Sequence, residues 1–204
     1  MKAIVHGIFS TPIYISKLTR EFTDEELKFV DKTKLDVYQN QGNTTSNNTY
    51  LLNTKPFNNL KEELNKILKD YFDKVVSPSN DIESYITQSW LNYTETNQYH
   101  HKHVHENSLV SGIIYLNADK KNDKIKFFKE RYSTIKPEVK NYNIFNSDNW
   151  FFPVETRDII LFPSSLSHMV ETKQGKNTRI SLSFNTFIRG MVGKEREITR
   201  LKID

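Results

Sequence analysis

Between Pro56 and Val75 the apolar residues Phe57, Leu60, Leu64, Ile67, Leu68, Tyr71, Phe72 and Val75 recur at helical spacing. One face of a helix is therefore apolar, with Pro56 standing near its start, and such a stripe predicts a helix packed on a sheet. A shorter helix is marked upstream by Phe22-Thr23-Asp24-Glu25-Glu26-Leu27, where Thr23 as N-cap and Glu26 form a capping-box pattern. The stretch from Gln39 to Thr49 holds little but Asn, Gln, Thr, Ser and Gly and predicts a mobile loop, either a lid or a plain surface turn.

From Ser84 onward the period shortens to that of strands. Tyr85–Tyr93, Ser111–Leu116, Lys124–Phe128, Asp158–Phe162 and Thr178–Ile188 each read as one, with turn residues between them and almost no helix. Short strands in that order predict an antiparallel sandwich or barrel of the jelly-roll kind. The segment from Arg131 to Asp148 has no clear period and reads as an irregular insertion. The expected architecture is mainly β with N-terminal helices (α+β). A single domain over residues 1–204 would have helical support over 1–80 and a jelly-roll (double-stranded β-helix) core over 82–190.

Composition narrows the chemistry. The 204 residues contain 13 Phe and 10 Tyr, which suits β-structure, and no Cys, which excludes disulfides, a thiolate nucleophile and an iron–sulfur cluster. That fits a reducing, cytoplasmic setting. No window approaches a membrane span, and the amino-terminal apolar run is too broken for a signal peptide. The net charge of +4 is spread over scattered Lys with no basic run, which reads as a solvated surface rather than a nucleic-acid face.

Candidate chemistry is concentrated in the histidines. Four of the six lie in Tyr99-His100-His101-Lys102-His103-Val104-His105-Glu106. In an extended strand His101, His103 and His105 would share one face and His100 the other. Imidazoles two apart on a strand can reach one metal ion, and His103 and His105 stand nearest the Glu106-Asn107-Ser108 turn at a barrel mouth. Downstream, the strand Asp158–Phe162 ends at Pro163 and His168 opens another segment. A hairpin about Gly175 would set His168 opposite residues 179 to 182. Arg179 and Ser181 then share a face near His168. An arginine within the apolar run Ile180–Phe184 needs an anion, either one of the 25 acidic residues or a carboxylate ligand held in the guanidinium fork.

The order His-x-His, Ser-Gly-x-x-Tyr-Leu, Ile-Leu-Phe-Pro, His168 and Arg179-x-Ser181 resembles the 2-oxoglutarate/Fe(II) oxygenase superfamily, and within it the prolyl-hydroxylase-like oxygenases common in marine bacteria and their phages. The resemblance spans residues 86 to 189. It implies Fe(II) as cofactor, 2-oxoglutarate and dioxygen as cosubstrates, and oxidation of a substrate C–H bond, usually hydroxylation. By the same resemblance His103 and His168 are metal ligands and Arg179 grips the far carboxylate of 2-oxoglutarate. Tyr115, Ser181 and Tyr93 assist, and Asn92 and Asn185 line the substrate side.

One departure concerns the third ligand. The usual site has a carboxylate two residues after the first histidine, and this chain has His105. Either His105 ligates, or Glu106 does after turning inward, and the expectation is His105. A three-histidine metal enzyme without 2-oxoglutarate, such as a cupin-type dioxygenase or a zinc hydrolase, is the first alternative. A non-catalytic jelly-roll module is the second. The primary substrate and oligomeric state are not readable from the residues.

Overall fold

The computed structural model describes residues 2–129, 135 and 137–204. Its elements run in the order β1 (Tyr14–Lys17), α1 (Asp24–Thr33), β2 (Val37–Gln39), β3 (Thr44–Ser46), α2 (Asn58–Tyr71), β4 (Ile82–Thr94), β5 (His100–His103), β6 (Val110–Asn117), β7 (Lys124–Phe128), β8 (Asn149–Pro153), β9 (Asp158–Pro163), β10 (His168–Val170), β11 (Arg179–Val192) and β12 (Leu201–Ile203). The strands form two antiparallel sheets, the architecture of a jelly-roll. The larger is eight-stranded in the order β1-β9-β6-β11-β4-β3-β2, with β12 also paired to β11. The smaller is four-stranded in the order β5-β10-β7-β8.

The larger sheet has helices on one face and the smaller sheet on the other, so its central strands are buried on both sides. Alternation assigns the faces. Leu91 and Tyr93 of β4, Ile114 and Leu116 of β6, Ile159 and Leu161 of β9, and Leu182 and Phe184 of β11 pack with Val30, Leu60, Leu64 and Leu68 of the helices. Ile113, Tyr115, Ile160 and Phe162 point the other way, against Ile125 and Phe127 of the smaller sheet. Gly112 is required here, because a Cβ at that position would stand 2.0 Å from Cζ of the buried Phe184, its partner across the ladder.

The capping box forms as the sequence predicts. Glu26 N–H donates to Thr23 Oγ1 (3.2 Å) and Thr23 N–H to Glu26 Oε2 (2.8 Å). Arg20 closes a fork on the two Glu26 carboxylate oxygens at 2.8 and 2.7 Å. The second helix keeps its predicted stripe through Tyr71. There the chain enters a π-turn over Phe72–Val76, ended by Ser77 in the left-handed region (φ 48), and the changed pitch leaves Val75 exposed instead of in the stripe.

Two other expectations are corrected. The polar stretch Gln39–Thr49 is no free loop: β2 and β3 pair as a hairpin and β3 adds to β4. Its polar side chains make that pairing, with Thr45 Oγ1 donating to Asn92 Oδ1 (3.0 Å) and Leu91 N–H donating to Ser46 Oγ (3.1 Å). The first 80 residues are accordingly not all helical, since β1, β2 and β3 join the larger sheet. The segment 168–192 is not a paired hairpin about Gly175. β10 pairs with β5 and β7, whereas β11 pairs with β4 and β6, so the chain crosses from one sheet to the other at that turn. Of the expected insertion Arg131–Asp148, residues 131–134 and 136 lie outside the described residues, and the described part carries no helix or strand. Among the described residues no helix is long and apolar enough to cross a membrane.

Candidate active site

Between the two sheets the interior is not uniformly apolar. Arg179, Ser181, Ser183 and Asn185 occupy alternate positions of β11 and face inward with Trp90, Asn92 and Thr94 of β4 and Ser111 of β6. Opposite them, the ends of two short strands bring histidines together. His103 closes β5 and His168 opens β10, and the two are register partners across that ladder. His105 lies just beyond β5, where its backbone N–H donates to Ser164 O (3.0 Å).

His103, His105 and His168 each present a ring nitrogen within 4.8 Å of the other two. What stands behind each ring settles which nitrogen that is. His103 Nδ1 lies 2.8 Å from His101 O, His168 Nδ1 3.1 Å from Leu166 O, and His105 Nδ1 2.8 Å from Asn185 Oδ1. Carbonyl oxygens only accept, so each Nδ1 carries the proton and each Nε2 turns a bare lone pair inward. Burial pushes the His105 imidazole down to about 4 and depresses His103 and His168 as well, so all three rings are neutral near pH 7. His103 Nε2 and His105 Nε2 approach to 3.2 Å with no proton between them. Two facing lone pairs at that distance repel. Three neutral, convergent imidazole donors fit a divalent transition-metal ion, which would replace the repulsion with coordination.

Arg179 provides the second half of the site. It is 2% exposed, and among the described residues its side chain makes one hydrogen bond, a long one from Nη2 to Thr94 Oγ1 (3.3 Å). Its Nε and Nη1 are buried with no partner among the described residues. Among the described residues no carboxylate takes it. The buried acid in that region, Asp123, is held by Lys173 Nζ at 3.2 Å and by Asn177 Nδ2 at 3.2 Å. Burial works against the guanidinium charge, while Asp123 nearby supports it. An uncompensated buried cation with two idle donors is costly unless an anion completes it. Tyr115 lines the same pocket, and burial holds its hydroxyl in the protonated, donating form. Ile113, Ile125 and Trp90 supply apolar wall.

Most of the residues singled out from the sequence thus line one pocket: His103, His105, His168, Arg179, Tyr115, Ser181 and Asn92. Tyr93 does not. The two-residue period puts it on the helix face, where its hydroxyl donates to Val30 O (2.7 Å) and ties α1 to the sheet. Asn185 faces inward but is committed to His105, and Asn92 is spanned by Thr45 and Ser183. Glu106 is exposed beyond the pocket. The expected alternation places His101 on the metal face and His100 away, yet His100 lines the pocket, its ring stacked on His103 (centroids 4.6 Å, planes 22° apart), and His101 does not. A register irregularity between His168 and Val170 breaks the regular alternation of this four-residue strand. Ser111, which stands behind His105, was legible only as the small residue before Gly112.

Residues 88–185 match the sequence profile of the family described as "Putative 2OG-Fe(II) oxygenase". No curated protein matches the chain. Among solved structures, the fold is shared with HygX from Streptomyces hygroscopicus with nickel, 2-oxoglutarate and hygromycin B bound, at 12% identity over 86% of this chain and 82% of that one (TM-score 0.58). A Pseudomonas putida prolyl-4-hydroxylase aligns at 11% identity over 86% and 93% of the two chains (TM-score 0.54). The non-heme alpha ketoglutarate dependent epimerase SnoN from nogalamycin biosynthesis aligns at 9% over 88% and 81% (TM-score 0.58).

Proposed function

We propose, from the premise that the chain belongs to the 2OG-Fe(II) oxygenase superfamily, that it is a 2-oxoglutarate-dependent dioxygenase that hydroxylates a C–H bond of its substrate. His103, His105 and His168 would hold Fe(II) through Nε2, their Nδ1 protons already engaged behind them. The metal centre supplies activation of dioxygen, driven by decarboxylation of 2-oxoglutarate to succinate and carbon dioxide, with one oxygen atom passed to the substrate.

The observation that carries this reading is the guanidinium of Arg179, buried in the histidine pocket with Nε and Nη1 unsatisfied. A dicarboxylate whose far end enters that fork meets two preorganised donors. The Tyr115 hydroxyl and Ser181 line the path to it and can donate to the same carboxylate. Ile113, Ile125 and Trp90 keep water from the reacting end. A three-histidine enzyme that uses no 2-oxoglutarate would leave the idle donors of Arg179 without a purpose. Because the shared fold includes an epimerase as well as a hydroxylase, the oxidation outcome rests on the substrate's presentation of its C–H bond.

The direct test is anaerobic. Addition of Fe(II) and then 2-oxoglutarate should produce the visible charge-transfer absorption of a chelated Fe(II)–2-oxoacid, and admission of air should release succinate slowly without substrate. A protein that binds Fe(II) but gives neither signal uses another cosubstrate.

A further inference from the structure

The third imidazole of the cluster differs from the other two in what stands behind it. His103 and His168 lean on backbone carbonyls, whereas His105 Nδ1 meets two side chains, Ser111 Oγ at 2.7 Å and Asn185 Oδ1 at 2.8 Å. Those side chains begin a chain of hydroxyls that runs from the buried Ser111 and Ser164 to the half-buried Ser108. Ser111 Oγ lies 2.8 Å from Ser164 Oγ, and Ser164 Oγ donates to Ser108 Oγ (2.7 Å). Ser108 Oγ in turn lies 3.2 Å from the carbonyl oxygens of both Val110 and Thr186.

Counting protons fixes the direction of this chain. A backbone carbonyl cannot donate, so the Ser108 hydroxyl must spend its proton there, and Thr186 N–H fills its oxygen at 3.1 Å. Ser164 has one proton, and it goes to Ser108. The one Ser111 proton then goes to Ser164 Oγ (2.8 Å) or to Asn185 Oδ1 (3.2 Å), in either case away from the imidazole. That leaves Ser111 with lone pairs alone toward His105, beside the amide oxygen of Asn185. Both neighbours of Nδ1 are acceptors, so the ring proton is held on Nδ1 and Nε2 is left bare toward His103 and His168.

We infer that Ser111 and Asn185, polarised by Ser164 and Ser108, are positioning residues that make His105 a metal ligand by fixing its tautomer and ring plane. The inference rests on the metal-site reading above and extends it to residues that touch neither metal nor cosubstrate. It also gives a physical reason why an imidazole serves at this position. A carboxylate there would need donors behind it, and this pocket offers acceptors.

Titration of the metal-free full-length chain with Co(II) alone tests this, read by calorimetry and by the d–d spectrum, with thermal midpoints recorded in parallel. Ser111→Ala and Asn185→Leu each leave one acceptor and should weaken Co(II) only mildly. The double variant leaves none and should weaken it roughly 10- to 100-fold, the range typical for partners of metal-ligating histidines, with an altered d–d spectrum and a cooperative unfolding transition retained. Ser111→Ala/Asn185→Asp restores one acceptor and should recover affinity. A folded double variant with wild-type affinity and spectrum would overturn the inference, as would an Asp variant that recovers neither. His105→Ala is the separating control: unchanged Co(II) affinity there would remove His105 from the ligand set, a failure of the underlying reading rather than of the relay.

Discussion

Replacing Arg179 with Met removes a charge and a planar fork while keeping most of the side-chain volume. Two donors, Nε and Nη1, stand idle in the pocket. Hydrogen bonds to charged groups are worth about 1.5 kcal/mol each at the low end, so losing two should cost about 3 kcal/mol of cosubstrate binding, or roughly 150-fold in Kd. The same substitution should leave the cosubstrate-free protein as stable as before, or more so, because among the described residues the one side-chain hydrogen bond lost is the 3.3 Å contact to Thr94 and a buried unpaired charge disappears with it. A structural role predicts the opposite pairing of effects. Removing one member of a buried salt bridge costs about 3–5 kcal/mol, which for a chain of this size lowers Tm on the order of 10 °C. Anaerobic titration of the Fe(II)-loaded variant with 2-oxoglutarate, alongside thermal unfolding of the apo form, reads both. Wild-type affinity together with a Tm lowered by about 10 °C would refute the assignment of Arg179 to a carboxylate ligand.

Four further outcomes are expected. His103→Ala and His168→Ala should each abolish stoichiometric Fe(II) binding, measured by anaerobic titration, with the far-ultraviolet circular dichroism of the apo protein unchanged. Tyr93→Phe should lower stability by about 1 kcal/mol through loss of the bond to Val30 and leave 2-oxoglutarate affinity untouched; a large cosubstrate defect would return Tyr93 to the site. Gly112→Ala should destabilise by at least about 1–3 kcal/mol because its Cβ meets Phe184 at 2.0 Å, and Phe184→Leu in the same chain should restore part of the lost Tm. Burial alone would raise the Glu26 carboxyl, but the Arg20 fork and the Thr23 N–H outweigh it and hold the group below its ordinary 4.5. Its stabilising contribution is therefore complete above about 4.5 and lost as pH falls through the folded value. Glu26→Gln should flatten that acid limb in denaturant midpoints measured from pH 6 to pH 3, and an unchanged slope would count against the ion pair.

The strands that carry most of the larger sheet were legible because they are buried on both faces and long. Tyr85–Tyr93, Ser111–Leu116 and Asp158–Phe162 fall within observed strands of that sheet, and Thr178–Ile188 does so from Arg179 onward, while Lys124–Phe128 coincides with β7 of the smaller sheet. The first helix was legible from its capping box. What escaped was paired through polar side chains or set at an edge. β2 and β3 are three residues each, and from Gln39 through β3 the chain is so polar that composition favours a loop, yet Thr45 and Ser46 hydrogen-bond into β4. β1 and β8 are edge strands of four and five residues with one neighbour each, too short for a period to stand out. Gly175 has the positive φ a reversing turn favours (φ 86), but local sequence does not say whether the strands it joins pair with each other or enter opposite sheets.

The site was legible in its residues and less so in its geometry, and β11 shows why. The run Arg179-Ile180-Ser181-Leu182-Ser183-Phe184-Asn185 alternates polar with apolar, a pattern that in an antiparallel sheet usually means one face in water. Here the polar face is turned inward, covered by a smaller sheet whose β5 and β10 have four and three residues and so leave almost no periodic trace. Only the arginine betrays the inversion from sequence, since a serine or asparagine is at ease on either side of a sheet and a guanidinium is not at ease in a core. Once the smaller sheet is in place, the polar row must be satisfied from within, and its members differ in how far they are. Asn185 turns to His105, Ser183 accepts from Asn92, and Arg179 alone keeps two donors unspent. Hydrogen-bond accounting along this row thus supports the proposed reading: the unspent donors of Arg179 line the same pocket as the convergent imidazoles, and an anion bound there would satisfy them.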